Sequence, residues 1–517
     1  MSITDKAADE RLLFAGSDWD FWTIRRIHDA VAEIADKDLK LSTFPNQIEI
    51  ITAEQMLDAY ASTGMPLFYK HWSFGKHFAQ HEMVYRKGLM GLAYEIVINS
   101  NPCISYIMEE NSATMQTLVI AHAAFGHNHF FKNNHLFRQW TDPDGILDYL
   151  SFAKTYIANC EERHGHQAVE RVLDAAHALM DQGVHRSPRK KTLNLQDEER
   201  RERDRQAHQE RIYDDIWRTL PRKGGPKKAG LGERRQALLG LPEENVLYFL
   251  EKTAPRLKPW QREILRIVRH IAQYFYPQRQ TKVMNEGCAC WVHYEIMTRL
   301  HDRGRISDGS FLEFLTSHTN VVRQPMYTDP GYNGINPYAL GFDMMRDIAR
   351  IATEPTAEDR AFFPDIAGRG DAGELLKDVW ANYRDESFIA QFLSPALIRK
   401  WRLFHVADDP DEPMMKVASI HDDRGYRKLR RMLARQYDIG RLMPDIQVVE
   451  VDLEDSRRMT LQHNALDGVP LEAEDAVRVL QHLADLWGYE VVMKEVDAMS
   501  GAPLKEHRAK ARPGIVF

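Results

Sequence analysis

Between Phe21 and Leu403, apolar residues return at three- and four-residue spacing in one stretch after another, which confines this chain to a mainly α-helical architecture. Phe21, Ile24, Ile27, Ala30, Val31 and Ile34 make one such face; Met115, Leu118, Val119 and His122 make another within Asn111 to Gly126. His122 is therefore expected to point inward, among apolar neighbours. Further helices are expected from Ala53 with Thr52 as N-cap, from Trp260 to a stop at Pro277, and from Lys282 to Leu300. A long Pro, Gly and Asn loop is expected from Thr316 to Gly341.

Past residue 440 the pattern changes to alternating strands, IQVVEVDL and MTLQHN, then a helix from Ala473 to Trp487, then YEVVMKEV. The expected layout is a flexible arm over 1–20, a large helical body over 21–430 and a small C-terminal α+β domain over 440–517. The stretch from Ser187 to Arg235 interrupts the body. It is dense in charges of both signs and nearly devoid of aliphatic residues, so it cannot bury enough surface to offset its ordering entropy and reads as a mobile insertion.

Several function classes are excluded early. No run approaches the roughly 18 apolar residues of a membrane span. The opening MSITDKAADERLLF is polar and acidic where an export signal would be basic and then apolar, so a cytoplasmic protein is expected. A net charge of −7 gives no general attraction to nucleic acid. Four cysteines in 517 residues make no disulfide framework. No phosphate loop, dinucleotide fingerprint or serine-esterase elbow occurs.

The candidate chemistry lies in two segments. IAHAAFGHNHFFKNNH places His122, His127, His129 and His135 close together, and neutral imidazole is a common ligand for zinc or iron. On an α-helix, positions 122 and 127 would differ by about 140° around the axis, so the two histidines converge only where the helix bulges or stops. Gly126 is a natural residue for such a stop. MNEGCACWVHYEIM carries Glu286, Cys290, His293 and Glu295; Glu286 and His293 share a face but stand about 10.5 Å apart along it. The working metal site is His122, His127, Glu286 and His293, for zinc or another divalent metal such as iron or manganese, with Glu109 or Glu110 as the carboxylate that activates a bound water. The alternative is that these histidines satisfy buried carbonyls in an ordinary core.

The strings LDAYASTGMPLFYKHWSFGKHF, GLAYEIVINSNPCISYIMEEN, LVIAHAAFGHNHFFKNN, KPWQREILRIVRHIAQYFYPQRQTKVMNEG, SHTNVV and GINPYALGF resemble the SpoVR family, the group of stage V sporulation protein R and its YcgB-like relatives. The resemblance runs from about residue 15 to the terminal LWGYEVVMKEVD. It implies a role in bacterial stress response or sporulation, with spore cortex formation in sporulating members, alongside a PrkA-type serine kinase and a YeaH-type partner. It brings no established activity. Family members typically read NEGWA where this chain has Asn285 to Ala289 with Cys288 in place of Trp, and Trp291 is expected to fill that space. Two roles stay open: a partner or scaffold working with the kinase through the 187–235 insertion, and a metal-dependent hydrolase remotely similar to gluzincin peptidases.

Overall fold

The computed structural model describes residues 12–61, 69, 71–72, 83, 95–186, 239–326, 329, 332–407, 413, 416–419, 421–453 and 455–512. The chain is mainly helical, with a small α+β portion at its C-terminal end. Contacts divide it into two units: Met1–Lys154 with Tyr276–Ile439, and Thr155–Phe275 with Gly440–Phe517. The second unit thus draws on residues 155–275 as well as on the C-terminal segment. The charged insertion over 187–235 lies outside the described residues.

In the first unit, helix α1 (Phe21–Glu33) starts at Asp20, whose carboxylate accepts the Thr23 N–H at 2.7 Å. Strands β1 (Asn46–Ile51), β2 (Glu95–Ile98) and β3 (Cys103–Met108) form a sheet in the order β1-β3-β2, with β1 parallel and β2 antiparallel to the central strand. Between β1 and the helix Ala53–Ala61, the Thr52 hydroxyl accepts the Gln55 N–H, as a cap should. Helix α2 is continuous from Ala113 to Asn133, in three stretches: α-helical Ala113–Val119, π-helical Ile120–His127 and α-helical Asn128–Asn133.

Helix α3 (Lys282–Asp302) is the axis of this unit. Against it lie the π-helical stretch of α2, α4 (Asp308–Val321), α5 (Pro337–Thr353) and α6 (Asp385–Phe392). Glycines set two of these approaches. A Cβ on Gly126 would stand 2.6 Å from the Ala289 Cα, and one on Gly341 would stand 2.2 Å from the Val283 carbonyl oxygen and against Gly287. The start of α3 is capped from outside its own segment: the Asp385 carboxylate accepts the N–H groups of Val283 and Met284 at 2.8 and 2.9 Å.

Four local expectations are corrected. Gly126 does not end α2; the helix passes through it, because its lack of a side chain serves the contact with Ala289. The loop expected from Thr316 begins later, since α4 runs to Val321 and carries His318. Pro277 lies within the helix Pro259–Gln280, in its last turn, where little of the ladder remains to be broken. In the expected N-terminal arm, Leu13 and Phe14 are buried in the core and the Leu13 N–H donates to the Arg305 carbonyl. Two adjacent apolar side chains are better sheltered there than in water.

In the second unit β6 (Ile446–Val451), β7 (Met459–Ala465), β8 (Val491–Asp497) and β9 (Pro503–Ala509) form a sheet in that order. Only β7 and β8 are parallel, joined by the crossover helix α7 (Ala473–Trp487). Gly488, at φ +83°, ends α7 in the left-handed conformation. Strands β4 (His405–Ala407) and β5 (Lys416–Ser419) form a separate hairpin in the first unit.

Gly341→Ala should destabilise the protein by about 1–3 kcal/mol in urea unfolding, as overpacking against backbone does, whereas Gly309→Ala, whose Cβ would meet only the Ser307 hydroxyl at an ordinary 3.8 Å, should change little. Burial pushes the Asp385 carboxyl up to about 7, against the two N–H groups that favour its charged form. A folded pKa above the roughly 3.9 of the unfolded chain means a contribution present below pH 4 and lost as pH rises through 7. Relative to Asp385→Asn, the wild type should therefore lose stability between pH 4 and 7, which melting temperatures across that range would reveal.

Candidate metal centre

The π-helical stretch decides the site. In an α-helix His122 and His127 would face different ways; the wider π turn, with the Asn128 N–H reaching back to the Ala123 carbonyl, brings them together with ring centroids 4.6 Å apart. Both are buried, on the side of α2 that meets α3. Glu286 of α3 faces them, with its Oε2 3.6 Å from His127 Nε2 and 3.8 Å from His122 Nε2. From the sheet, Glu95 at the start of β2 brings its Oε1 to 3.5 Å from His122 Nε2.

These distances are too long for charge-assisted hydrogen bonds, which run at about 2.7–2.9 Å. His122 Nε2 and Glu286 Oε2 are both buried with no hydrogen-bond partner. Two ligand atoms each about 2.0–2.2 Å from a shared tetrahedral ion stand about 3.3–3.6 Å apart, close to the 3.5, 3.6 and 3.8 Å found here. The donor set, two imidazole nitrogens and two carboxylates, suits a divalent transition metal.

The far side of each imidazole is engaged. His127 Nδ1 lies 2.9 Å from Asn285 Oδ1, and since an amide oxygen only accepts, Nδ1 carries the proton and Nε2 the lone pair. His122 Nδ1 lies 2.9 Å from His293 Nδ1, and His293 Nε2 lies 2.8 Å from His318 Nδ1. His293, expected as a ligand, thus has both nitrogens occupied and stands behind His122. The 10.5 Å or so between positions 286 and 293 on α3 is spanned by the His122 ring, one nitrogen towards each. Cys290 also lies near His122 and His293, but burial holds its thiol well above its ordinary range and keeps it protonated.

Burial lowers His127 to about 4, while the neighbouring Glu286 works in the opposite direction. For His122, burial acts downward but the carboxylates of Glu286 and Glu95 outweigh it and hold it above the usual imidazole value. Glu286 is the converse, its burial outweighed by His127 and His122, so it stays below the ordinary carboxylate range. Burial pushes the Glu95 carboxyl up. His293 is held well below its ordinary value and His318 at about 4, both by burial first, so both are neutral at pH 7.

Glu109 and Glu110, expected to activate water, sit exposed in the turn after β3, where Glu110 accepts the Ala53 N–H; Glu95 is the second carboxylate at the histidines. The turn leaves β3 for solvent, and its side chains follow. His129 bonds the Ser42 backbone and His135 lies against the Ala381 carbonyl, so neither belongs to the site. Sequence reasoning missed Glu95, Asn285, His318 and Tyr338, whose side chain lies against Glu286. Tyr338 gets there because Gly341, one turn later on α5, lets the helix start press onto α3. Trp291 packs edge-on against Trp380, and Cys288 is buried with its thiol towards the Gly126 carbonyl.

No described helix is long and apolar enough to cross a membrane. No solved structure matches the chain. The uncharacterized protein YcgB of Escherichia coli strain K12 is similar, 50% identical over 494 residues that cover 96% of this chain and 96% of its own length. The family model described as SpoVR like protein matches residues 18–442, and that of the SpoVR-like C-terminal domain matches 444–498. On these matches, the chain belongs to the SpoVR family.

Proposed function

We propose that this chain is a divalent-metal protein of the cytoplasm, holding the ion through His122 Nε2, His127 Nε2 and Glu286, with Glu95 beside them. The observation that carries this reading is the pair of buried, unpartnered atoms, His122 Nε2 and Glu286 Oε2, 3.8 Å apart. A buried polar atom without a partner costs about 1–3 kcal/mol, and a shared cation would satisfy both at once. Zinc, iron and manganese all suit the donor set.

The reaction class that fits best is metal-assisted hydrolysis. Bound there, a divalent ion would supply Lewis acidity and bring the pKa of a water ligand to about 7. Glu95, ionised, would then take the water's proton at its carboxylate, its burial making it a stronger base than an exposed carboxylate. Tyr338, its hydroxyl against Glu286, would keep that carboxylate turned towards the histidines. Within the family's setting of stress response, sporulation and cortex formation, the chain would act alongside a PrkA-type serine kinase and a YeaH-type partner, with residues 187–235 as the docking segment.

Purified, untagged protein should carry close to one equivalent of zinc, iron or manganese by plasma mass spectrometry, and His122→Ala and Glu286→Ala should lose it. A metal-free wild type, purified without chelator and after incubation with each ion, would end the reading. Glu95→Gln should keep the metal and lose turnover on whichever amide, ester or phosphoester substrate the wild type cleaves. Loss of the metal in that variant would make Glu95 a ligand instead. Deleting residues 190–232 should abolish co-purification with the kinase; unchanged association would remove the docking role.

A further inference from the structure

Three buried imidazoles stand in a row, His122, His293 and His318, joined by contacts of 2.9 and 2.8 Å. Each lies on a different helix, and each is at most 5% exposed. A neutral imidazole has one proton and one lone pair, and a cation at His122 Nε2 requires that ring to be neutral; with all three rings neutral, both contacts are hydrogen bonds in only two arrangements. In one, His318 donates to His293 and His293 to His122, leaving a proton on His122 Nε2. That proton would point at Glu95 and Glu286, 3.5 and 3.8 Å away, and bond neither well. In the other, His122 Nδ1–H donates to His293 Nδ1 and His293 Nε2–H donates to His318 Nδ1, which leaves a lone pair on His122 Nε2.

We infer that His293 and His318 are positioning residues that hold His122 in the tautomer whose Nε2 is free to bind a divalent cation, an inference that rests on the metal reading above. The other histidine of the site has the same arrangement by simpler means, the Asn285 amide oxygen accepting from His127 Nδ1 at 2.9 Å. Groups behind a metal ligand that accept its second N–H fix ring orientation and raise its basicity. Here that acceptor is itself a histidine, and a second histidine fixes the acceptor's own tautomer. The row also packs well: His293 lies edge-on to Phe314 and His318 edge-on to Phe342, so each ring is held in place by apolar neighbours.

The test compares two replacements of His293. In asparagine the side-chain oxygen falls where the Nδ1 of histidine stood and can still accept from His122; leucine fills the space better but accepts nothing. Cobalt(II) affinity, read by its visible absorption in competition with a chromophoric chelator, should fall about 10–100-fold in His293→Leu and recover most of that loss in His293→Asn. A purely packing role would give the opposite order. Equal affinity in His293→Leu and wild type, or equal weakening in both variants, overturns the inference and leaves the metal reading standing. A wild type that takes up no cobalt removes the metal reading and this inference with it. Should His293→Leu fail to fold, His318→Leu against His318→Asn poses the same question one step further out, with the same expected order.

Discussion

Helices α2, α3 and α5 meet at backbone distance, and the rest of the site follows from that. Gly126 against Ala289 and Gly341 against Gly287 remove the side chains that would otherwise hold helix axes apart. With that spacing removed, short reaches suffice. His122 and His127 span from α2 to α3, Tyr338 comes to Glu286 from α5, and Glu95 arrives from the sheet edge beneath. Any looser contact would admit water between the same groups and weaken every electrostatic interaction among them.

Such a core holds an unusual quantity of polar material. Asp385 spends its carboxylate on the backbone at the start of α3, so the helix that carries Glu286 and His293 is anchored at its first turn. Asn285, His293 and His318 each have a defined partner, and the unsatisfied atoms among these groups are confined to the face where the two histidines meet Glu286. Buried polar networks of this kind stabilise only when complete. What sets this pair apart from single orphaned atoms elsewhere in the core, such as Gln116 Oε1 and His129 Nε2, is that two unpartnered atoms of opposite chemistry face each other at 3.8 Å, where one cation would satisfy both. The second unit offers the contrast: buried Glu495 is bonded by His463, by His507 and by the Leu471 N–H, and is fully satisfied without any ion.

Much of this was legible in the sequence. Helical periodicity gave the architecture, and the switch to alternation after residue 440 gave the C-terminal strands, because both periods are set by which face is buried. His122, His127 and Glu286 stood out because polar, metal-competent residues on apolar faces are uncommon. Glu95 did not, being one charged residue at the start of the short strand EIVI. Glu109 and Glu110, expected as the carboxylate that activates water, lie in a turn after a strand, which puts them in solvent. Gly126 carried a signal with two meanings, helix end and close contact, and only the partner at Ala289, more than a hundred and sixty positions away, separates them.

The π-helical stretch of α2 has a consequence for how such a site can arise and vanish. A π turn differs from an α turn by one extra residue, so removing a single position between Val119 and Asn128 would let the segment close into plain α-helix. The flanking stretches would keep their faces, and the outcome for the histidines would depend on the position lost. Without 120 or 121, His122 and His127 stay five apart and face about 140° away from each other on a plain α-helix, whereas without one of 123–126 they become i and i+4, about 40° apart, and still converge. A related chain one residue shorter at this turn could therefore keep the fold and either keep or lack the centre, according to which side of His122 the missing position lies.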